Sequence, residues 1–256
     1  MKYPVIDDNT DVKLLLEHAR GLNLRGRPRG FAYGKVATPF NDSLLIPQEE
    51  WLDWLADAER TKSTPMDLIK DAGLKVKNQE TTNYCWVNSP VYCMELHRIK
   101  QGQRHVELSP ASAAARIKKF RNVGGWGRDA LEWLSENGCS PIEFWPANAI
   151  EKRYDTAENR ELCKDFVFDK WIELEPRNLE QVFSCLLRRI PVSVGLNFWG
   201  HQISYIWVNY DKKLKEFQPI FANSWGEGWG TDGYGVLAGN KRYPDDCCAP
   251  ISVMPS

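Results

Sequence analysis

The rhythm of hydrophobic and polar positions changes partway along the chain. Up to about residue 165, apolar residues recur mostly at helical spacing; beyond it, short strand-like runs rich in Val, Ile, Tyr and Phe take over. Val12, Leu15, Leu16 and Ala19 predict a short amphipathic helix over residues 11–20, stopped at Gly21. A connector rich in Gly, Pro and Arg follows to about residue 47. Helices are expected over residues 49–60 and 65–72, the second with Thr64 as its cap, Pro65 in its first turn and Gly73 as its stop. Further helices are expected at residues 85–98, 110–120, 128–136 and 178–189, and strands at 192–198, 203–210, 214–222 and 234–237. The pattern implies an α+β fold with a helical lobe over residues 76–165 and a strand-rich lobe over 166–256, with a cleft between them. Residues 1–75 read as an amino-terminal extension of short helices that covers the cleft or docks a protein partner. They carry too few apolar positions to stand alone.

Composition narrows the function classes. With 256 residues, 43% of them hydrophobic, and 11 Trp, the chain can bury a sizeable core, so extensive disorder is excluded. A net charge of −1 gives no bulk attraction to nucleic acid or to an anionic membrane. The one basic stretch, Arg20, Arg25, Arg27 and Arg29, has only Phe31 and Tyr33 as aromatic neighbours and reads as a solvated or docking loop. No apolar run is long enough to span a membrane and the amino terminus lacks a signal-peptide core, which makes a cytoplasmic location the default expectation.

Seven cysteines lack metal-ligand spacing, and the pairs Glu95/His97 and Glu107/His105 find no third ligand, so neither a metal nor a cofactor is expected. With Cys85 set aside, three disulfides are arithmetically possible but not implied; Cys247 and Cys248 read as ordinary thiols. His97 is expected to be structural, and His18 and His105 have no context that assigns them a role. Trp51 and Trp54 are expected to dock the leading segment on the main body.

The chemistry concentrates at four distant positions. Cys85, followed by Trp86, falls at an expected helix start, where unpaired first-turn amides favour a thiolate. Gln79, six residues earlier, can donate its carboxamide protons to an oxygen gaining charge. A thiol with an ordinary pKa needs a base, and His201 opens a strand-like run 116 residues downstream. Asn223 can accept the second ring proton of that histidine, and a neighbouring indole, Trp225, can keep water from the bond.

These motifs resemble the papain-like cysteine peptidases of the papain and cathepsin type over residues 75–240. The resemblance rests on Gln79 with Cys85-Trp86, on Gly124-Gly125-Trp126, on Pro191-Val-Ser-Val-Gly before His201, and on Asn223-Ser-Trp-Gly-Glu-Gly-Trp-Gly. It implies a barrel-like second lobe and a cysteine endopeptidase working through a thioester acyl-enzyme on peptide or protein substrates. In that scheme Cys85 attacks, His201 moves the proton, Asn223 orients His201, and Gln79 with the Cys85 amide forms the oxyanion hole. Gly124, Gly125, Trp126, Tyr84 and Gly200 would contact substrate, with Trp86 and Trp225 in support.

The departures carry information as well. Where the family has a bridging Cys and a Gly before the nucleophile, this chain has Thr82 and Asn83, followed by Tyr84; Arg121-Asn122-Val123 lacks the partner Cys. Absence of both halves suits a reducing compartment or a lobe held by packing alone. Asn83 and Tyr84 are expected to line and narrow the approach to Cys85, and Trp199 with Gly200 to form an uncharged, apolar subsite wall. The Cys-to-His spacing is shorter than the roughly 130 to 150 residues of the family. If the leading segment runs through the cleft, residues 28–40 are the extended candidate. An amidase, isopeptidase or transpeptidase with the same site, or a non-catalytic papain-like subunit, are the competing readings.

Overall fold

The computed structural model describes residues 3–18, 20–23 and 37–253. In chain order its elements are β1 (Val5–Ile6), α1 (Val12–Leu15), β2 (Ala37–Pro39), α2 (Trp51–Arg60), α3 (Pro65–Ala72), α4 (Cys85–Lys100), α5 (Pro110–Ile117) and α6 (Gly127–Asn137). Then follow α7 (Ala157–Cys163), β3 (Phe168–Glu173), α8 (Leu179–Leu187), β4 (Val192–Leu196), β5 (His201–Asp211), β6 (Glu216–Ala222), β7 (Tyr234–Leu237) and β8 (Asp246–Val253). A helical lobe packs against a mixed eight-stranded sheet of order β1-β7-β6-β5-β4-β8-β3-β2, the two-lobed α+β arrangement expected. The interior strands pair antiparallel, and only the edge pairs β1/β7 and β2/β3 are parallel.

Local chemistry explains the sharpest boundaries. At α3 the Thr64 hydroxyl accepts from the Asp67 amide while the Asp67 carboxylate accepts from the Thr64 amide, a reciprocal cap, and Gly73 closes the helix in the left-handed region at φ 65°. α5 ends three residues before the expected position, because Lys119 and Phe120 turn to φ 53° and 59°. The expected helix over 11–20 contracts to one turn in which only Leu15 is buried. Leu14 and Leu16 stay exposed, so the apolar spacing there had no surface to face.

α4 runs through the middle of the molecule, and every residue from Cys85 to Arg98 is buried. Trp86, Val87, Val91 and Met94 belong to the apolar cluster of the helical lobe, whereas Tyr92 and Leu96 belong to that of the sheet. A helix buried all round must satisfy its polar side chains internally. Glu95 accepts from Lys77 and from the Leu108 amide, both at 2.6 Å; the His97 ring meets the Ile251 carbonyl at 2.9 Å; Arg98 reaches the Asp165 carbonyl and lies over Phe166. His97 is structural, as expected.

Two of the leading segment's strands join the sheet edges, and Ile6, Leu15, Ile46, Trp51 and Leu55 enter the sheet-side core. Trp51 docks there against Phe183 and Phe217, while Trp54 remains at the surface under Arg188. All seven cysteines are buried thiols, Cys247 and Cys248 included. Among the described residues no helix is long and apolar enough to cross a membrane.

Candidate active site

Two loops bring the distant residues together. Lys77, Asn78 and Gln79 run antiparallel to Ser224, Trp225 and Gly226: the Gln79 amide donates to the Ser224 carbonyl at 2.8 Å and the Gly226 amide to the Lys77 carbonyl at 2.9 Å. Gly226 adopts φ 75°, which a side chain would strain. The Gln79 carboxamide is held at both ends, its Oε1 accepting from Ser224 Oγ at 2.6 Å and its Nε2 donating to the Thr82 carbonyl at 2.7 Å. Ser224 is a participant that the sequence reading passed over.

His201 opens β5 and Asn223 follows β6, so antiparallel pairing of the two strands sets them side by side. Their side chains meet at 2.8 Å between His201 Nε2 and Asn223 Oδ1. The Ser224 amide donates to the same Oδ1 at 2.8 Å, which orients the carboxamide with oxygen toward the ring. The ring therefore carries its proton on Nε2, and Nδ1, buried and without a hydrogen-bond partner among the described residues, is left as the basic nitrogen. Trp225 stacks on the imidazole at 4.8 Å, and Trp199 lies 5.0 Å from it.

The sulfur of Cys85 is fully buried at the start of α4. Burial pushes its pKa up to about 11, opposed by the backbone amides of Gln202, Gly21, Trp86 and Leu22, which favour the thiolate. Gln202 directly follows His201, so the strand that carries the histidine also brings an amide to the sulfur. His201 is pulled down to about 4, by burial first; the Asn223 bond works against this, and the charges of Arg20 and His18 add to it.

Gly21 and Leu22 belong to a segment that sequence reasoning did not place here. Residues 20–23 cross the cleft as a strap: the Gly125 amide donates to the Gly21 carbonyl at 2.8 Å, the Asn23 amide to the Gly125 carbonyl at 3.0 Å, and the Leu22 amide to the Gly200 carbonyl at 3.3 Å. Arg20 reaches the Trp199 carbonyl at 3.3 Å, and His18 stacks on Trp225 at 4.2 Å. Gly125 and Gly200, both expected to contact substrate, thus bond to the chain's own backbone. Gly21 is squeezed tightly enough that a Cβ on it would overlap the Asn83 carbonyl oxygen, and one on Gly124 would overlap the Gly21 carbonyl. Of the crossing expected of residues 28–40, the part over Ala37–Pro39 is corrected, since it pairs with β3; residues 28–36, with Arg25, Arg27 and Arg29, lie outside the described residues.

Three further placements differ from expectation. The Tyr84 ring does not line the approach; it lies 1% exposed in the helical-lobe core, edge-on to Trp86, with its hydroxyl donating to the Arg121 carbonyl at 3.0 Å. Burial raises its pKa to about 12, so the phenol stays a neutral donor. Trp199 is likewise a core residue, packed edge-on against Trp225, and the side chain of Leu22 lies over Gly195, with the Cβ of Asp246 near the same glycine. Trp126 caps α6 with its ring under Lys118, which also lies 4.8 Å over Trp86. Packing is not all that joins the two loops lacking the family's bridge. The Asn122 carboxamide accepts from the Asn83 amide at 2.7 Å and donates to the Thr81 carbonyl at 3.2 Å, beside the Tyr84 bond.

Fold and site together define a two-lobed thiol peptidase. No family model matches the chain. A cathepsin L 1 of Paramecium tetraurelia is 26% identical over 229 residues, 81% of this chain and 70% of that protein, and cathepsin K of Mus musculus is 24% identical over 227 residues. Among solved structures, xylellain, a cysteine protease from Xylella fastidiosa, superposes with a TM-score of 0.63 at 16% identity, covering 93% of this chain and 97% of its own. These relatives and neighbours agree on one family, the papain-like cysteine proteases of the peptidase C1 type, which this chain resembles in sequence and in fold.

Proposed function

We propose that this cysteine endopeptidase cuts peptide bonds with Cys85 as nucleophile and His201 as its base, and that residues 20–23 hold it at rest. The observation that carries the reading is the 2.8 Å bond from His201 Nε2 to Asn223, which leaves Nδ1 as the proton acceptor on the strand whose next residue, Gln202, favours the thiolate through its backbone. With the strap lifted, the Cys85 proton passes to Nδ1 and the thiolate attacks the substrate carbonyl, forming a C–S bond. The oxygen gains charge against the Gln79 carboxamide and the Cys85 amide. His201 returns the proton to the leaving nitrogen as the C–N bond breaks, and water, deprotonated by the same ring, releases the acid from the thioester. Of Asn83 and Tyr84, expected to narrow the approach to Cys85, Tyr84 is turned into the core and gives an amidase or transpeptidase no support. Leu22 marks the place of an apolar substrate side chain over Gly195.

Treatment with an epoxide thiol trap tests the pair. With the strap strained open by Gly21→Ala, rapid addition at Cys85 alone, lost when His201→Ala is added, is expected; slow, indiscriminate modification of several cysteines in that background would refute it.

The strap gives a pH dependence whose sign is fixed. Closed, His201 has its pKa lowered to about 4, whereas an exposed imidazole titrates near 6.5. The closed state therefore resists a proton that the open state takes up, so closure is fully favoured above about 6.5 and weakens as pH falls toward 4. Hydrogen-exchange protection of the Leu22 and Asn23 amides, measured in a Cys85→Ala background, is expected to fall over that window. Constant protection from pH 7 to 4 would mean that closure is not linked to this ring.

A further inference from the structure

Behind the sulfur and the imidazole lies a chain of buried hydroxyls that none of the chemical steps uses. Ser89 stands one helical turn beyond Cys85, on the same face of α4. Its Oγ is 2.7 Å from the Ile203 carbonyl on β5 and 2.8 Å from Ser193 Oγ on β4. Ser193 Oγ is in turn 2.8 Å from the Gln202 Nε2, and Ser204 Oγ is 3.1 Å from both the Oγ and the carbonyl of Ser89. All four side chains are buried.

Counting protons gives the chain one direction. A carbonyl can only accept, so Ser89 gives its single proton to Ile203. Ser193 must then donate to Ser89, and it accepts from the Gln202 carboxamide. The order is Gln202 to Ser193 to Ser89 to the Ile203 carbonyl, a run of aligned donors in a dry interior where each bond strengthens the next. The Gln202 carboxamide also fills the space over Gly127 at the start of α6, where a Cβ would overlap it. Apolar packing holds helix against sheet but has no direction, whereas bonds of this length fix spacing to a fraction of an ångström. The strut meets α4 four residues after the nucleophile and β5 one and two residues after the base.

We propose that Ser89 is a positioning residue, whose hydroxyl, aligned by Ser193 and Gln202, fixes the separation between the Cys85 sulfur and the His201 ring. The inference rests on the reading of those two residues as the reacting pair. Nδ1 carries no hydrogen bond while the strap is closed, so proton transfer from the sulfur on opening depends on how closely helix and strand hold the two groups, and sliding by even a few tenths of an ångström weakens the ionised pair.

Iodoacetamide labelling of the full chain from pH 4 to 9, with the adduct at Cys85 followed by mass, tests it. The charged groups that act on the His201 ring, Arg20 on the strap and His18 just before it, are the same in every variant. Ser89→Ala is expected to label about tenfold more slowly at pH 6, its acid limb displaced upward by about one unit. Ser193→Ala should move the limb in the same direction by less. Thermal midpoints of both variants record any loss of packing separately. Acid limbs and plateau rates that match wild type in both variants, however far the midpoints fall, would overturn the proposal and leave Ser89 a structural residue. Should Ser89→Ala fail to fold, Ser193→Ala decides on the same terms. Failure of the underlying reading has a different signature: even with the strap strained open by Gly21→Ala, the chain would not label at Cys85.

Discussion

Cys85→Ala is expected to lower peptide hydrolysis by a factor on the order of 10⁴ or more while the fold persists. In the proposed mechanism the sulfur is the atom that forms the acyl bond, and it stands at the start of α4 beneath the strap. Its loss should cost the fold little. In the closed state the thiol is neutral, since burial holds its pKa near 11, so alanine removes a small apolar group and no paired charge. About 1 kcal/mol or less of lost packing is the expected scale. Hydrolysis of a fluorogenic peptide, read beside the thermal midpoint, separates lost chemistry from lost structure. His201→Ala should lose nearly as much as Cys85→Ala, and Asn223→Ala less, because a misoriented base still binds a proton. Hydrolysis that survives Cys85→Ala would place the nucleophile elsewhere and end this mechanism.

The second large effect runs the other way. Gly21→Ala is expected to raise hydrolysis by about tenfold or more, although it adds a group rather than removing one. The strap passes so close to Asn83 that the added methyl overlaps the carbonyl oxygen, and backbone cannot give way as a flexible side chain can. Overpacking of this kind costs about 1–3 kcal/mol. The same substitution leaves the open chain unstrained, so the whole cost falls on closure, and each 1.4 kcal/mol or so changes the open fraction tenfold. Opening also removes the burial that separates the two pKa values, and with it the repulsion from Arg20 and His18, so the pair can ionise. Initial rates on a short peptide measure the effect, and a variant no faster than wild type would show that the strap does not restrain the enzyme.

What the sequence made legible, and what it hid, follows from where the information resides. Thr64, Pro65 and Gly73 bound α3 because each acts on its immediate neighbours, and β7 lies over the residues expected of it. The four reacting side chains stood out because nucleophile, base, orienter and carboxamide are distinctive residue types in a distinctive order. β3 and β8 escaped notice: Asp169 and Lys170 interrupt one, and Cys247, Cys248 and Pro250 disguise the other, whose pairing with β4 only the tertiary fold supplies. The strap was hidden for a deeper reason. It is held largely by backbone amides and carbonyls, which every sequence possesses, and its one compositional trace is a glycine in a stretch already rich in them. His18 lacked context because its context is Trp225, more than two hundred residues away. Tyr84 misled because a large residue beside a nucleophile suggests an obstacle, whereas its hydroxyl found a carbonyl inside the lobe.

The continuous burial of α4 limits how this molecule can admit a guest. One rod of helix is mortared into both walls of the cleft, with Trp86, Val91 and Met94 on one side and Tyr92 and Leu96 on the other. Swinging the walls apart would tear one of the two interiors from its spine, which thermal fluctuation does not supply. The gape of the mouth is therefore fixed, and admission is decided by the four residues lying across it rather than by any yawning of the jaws.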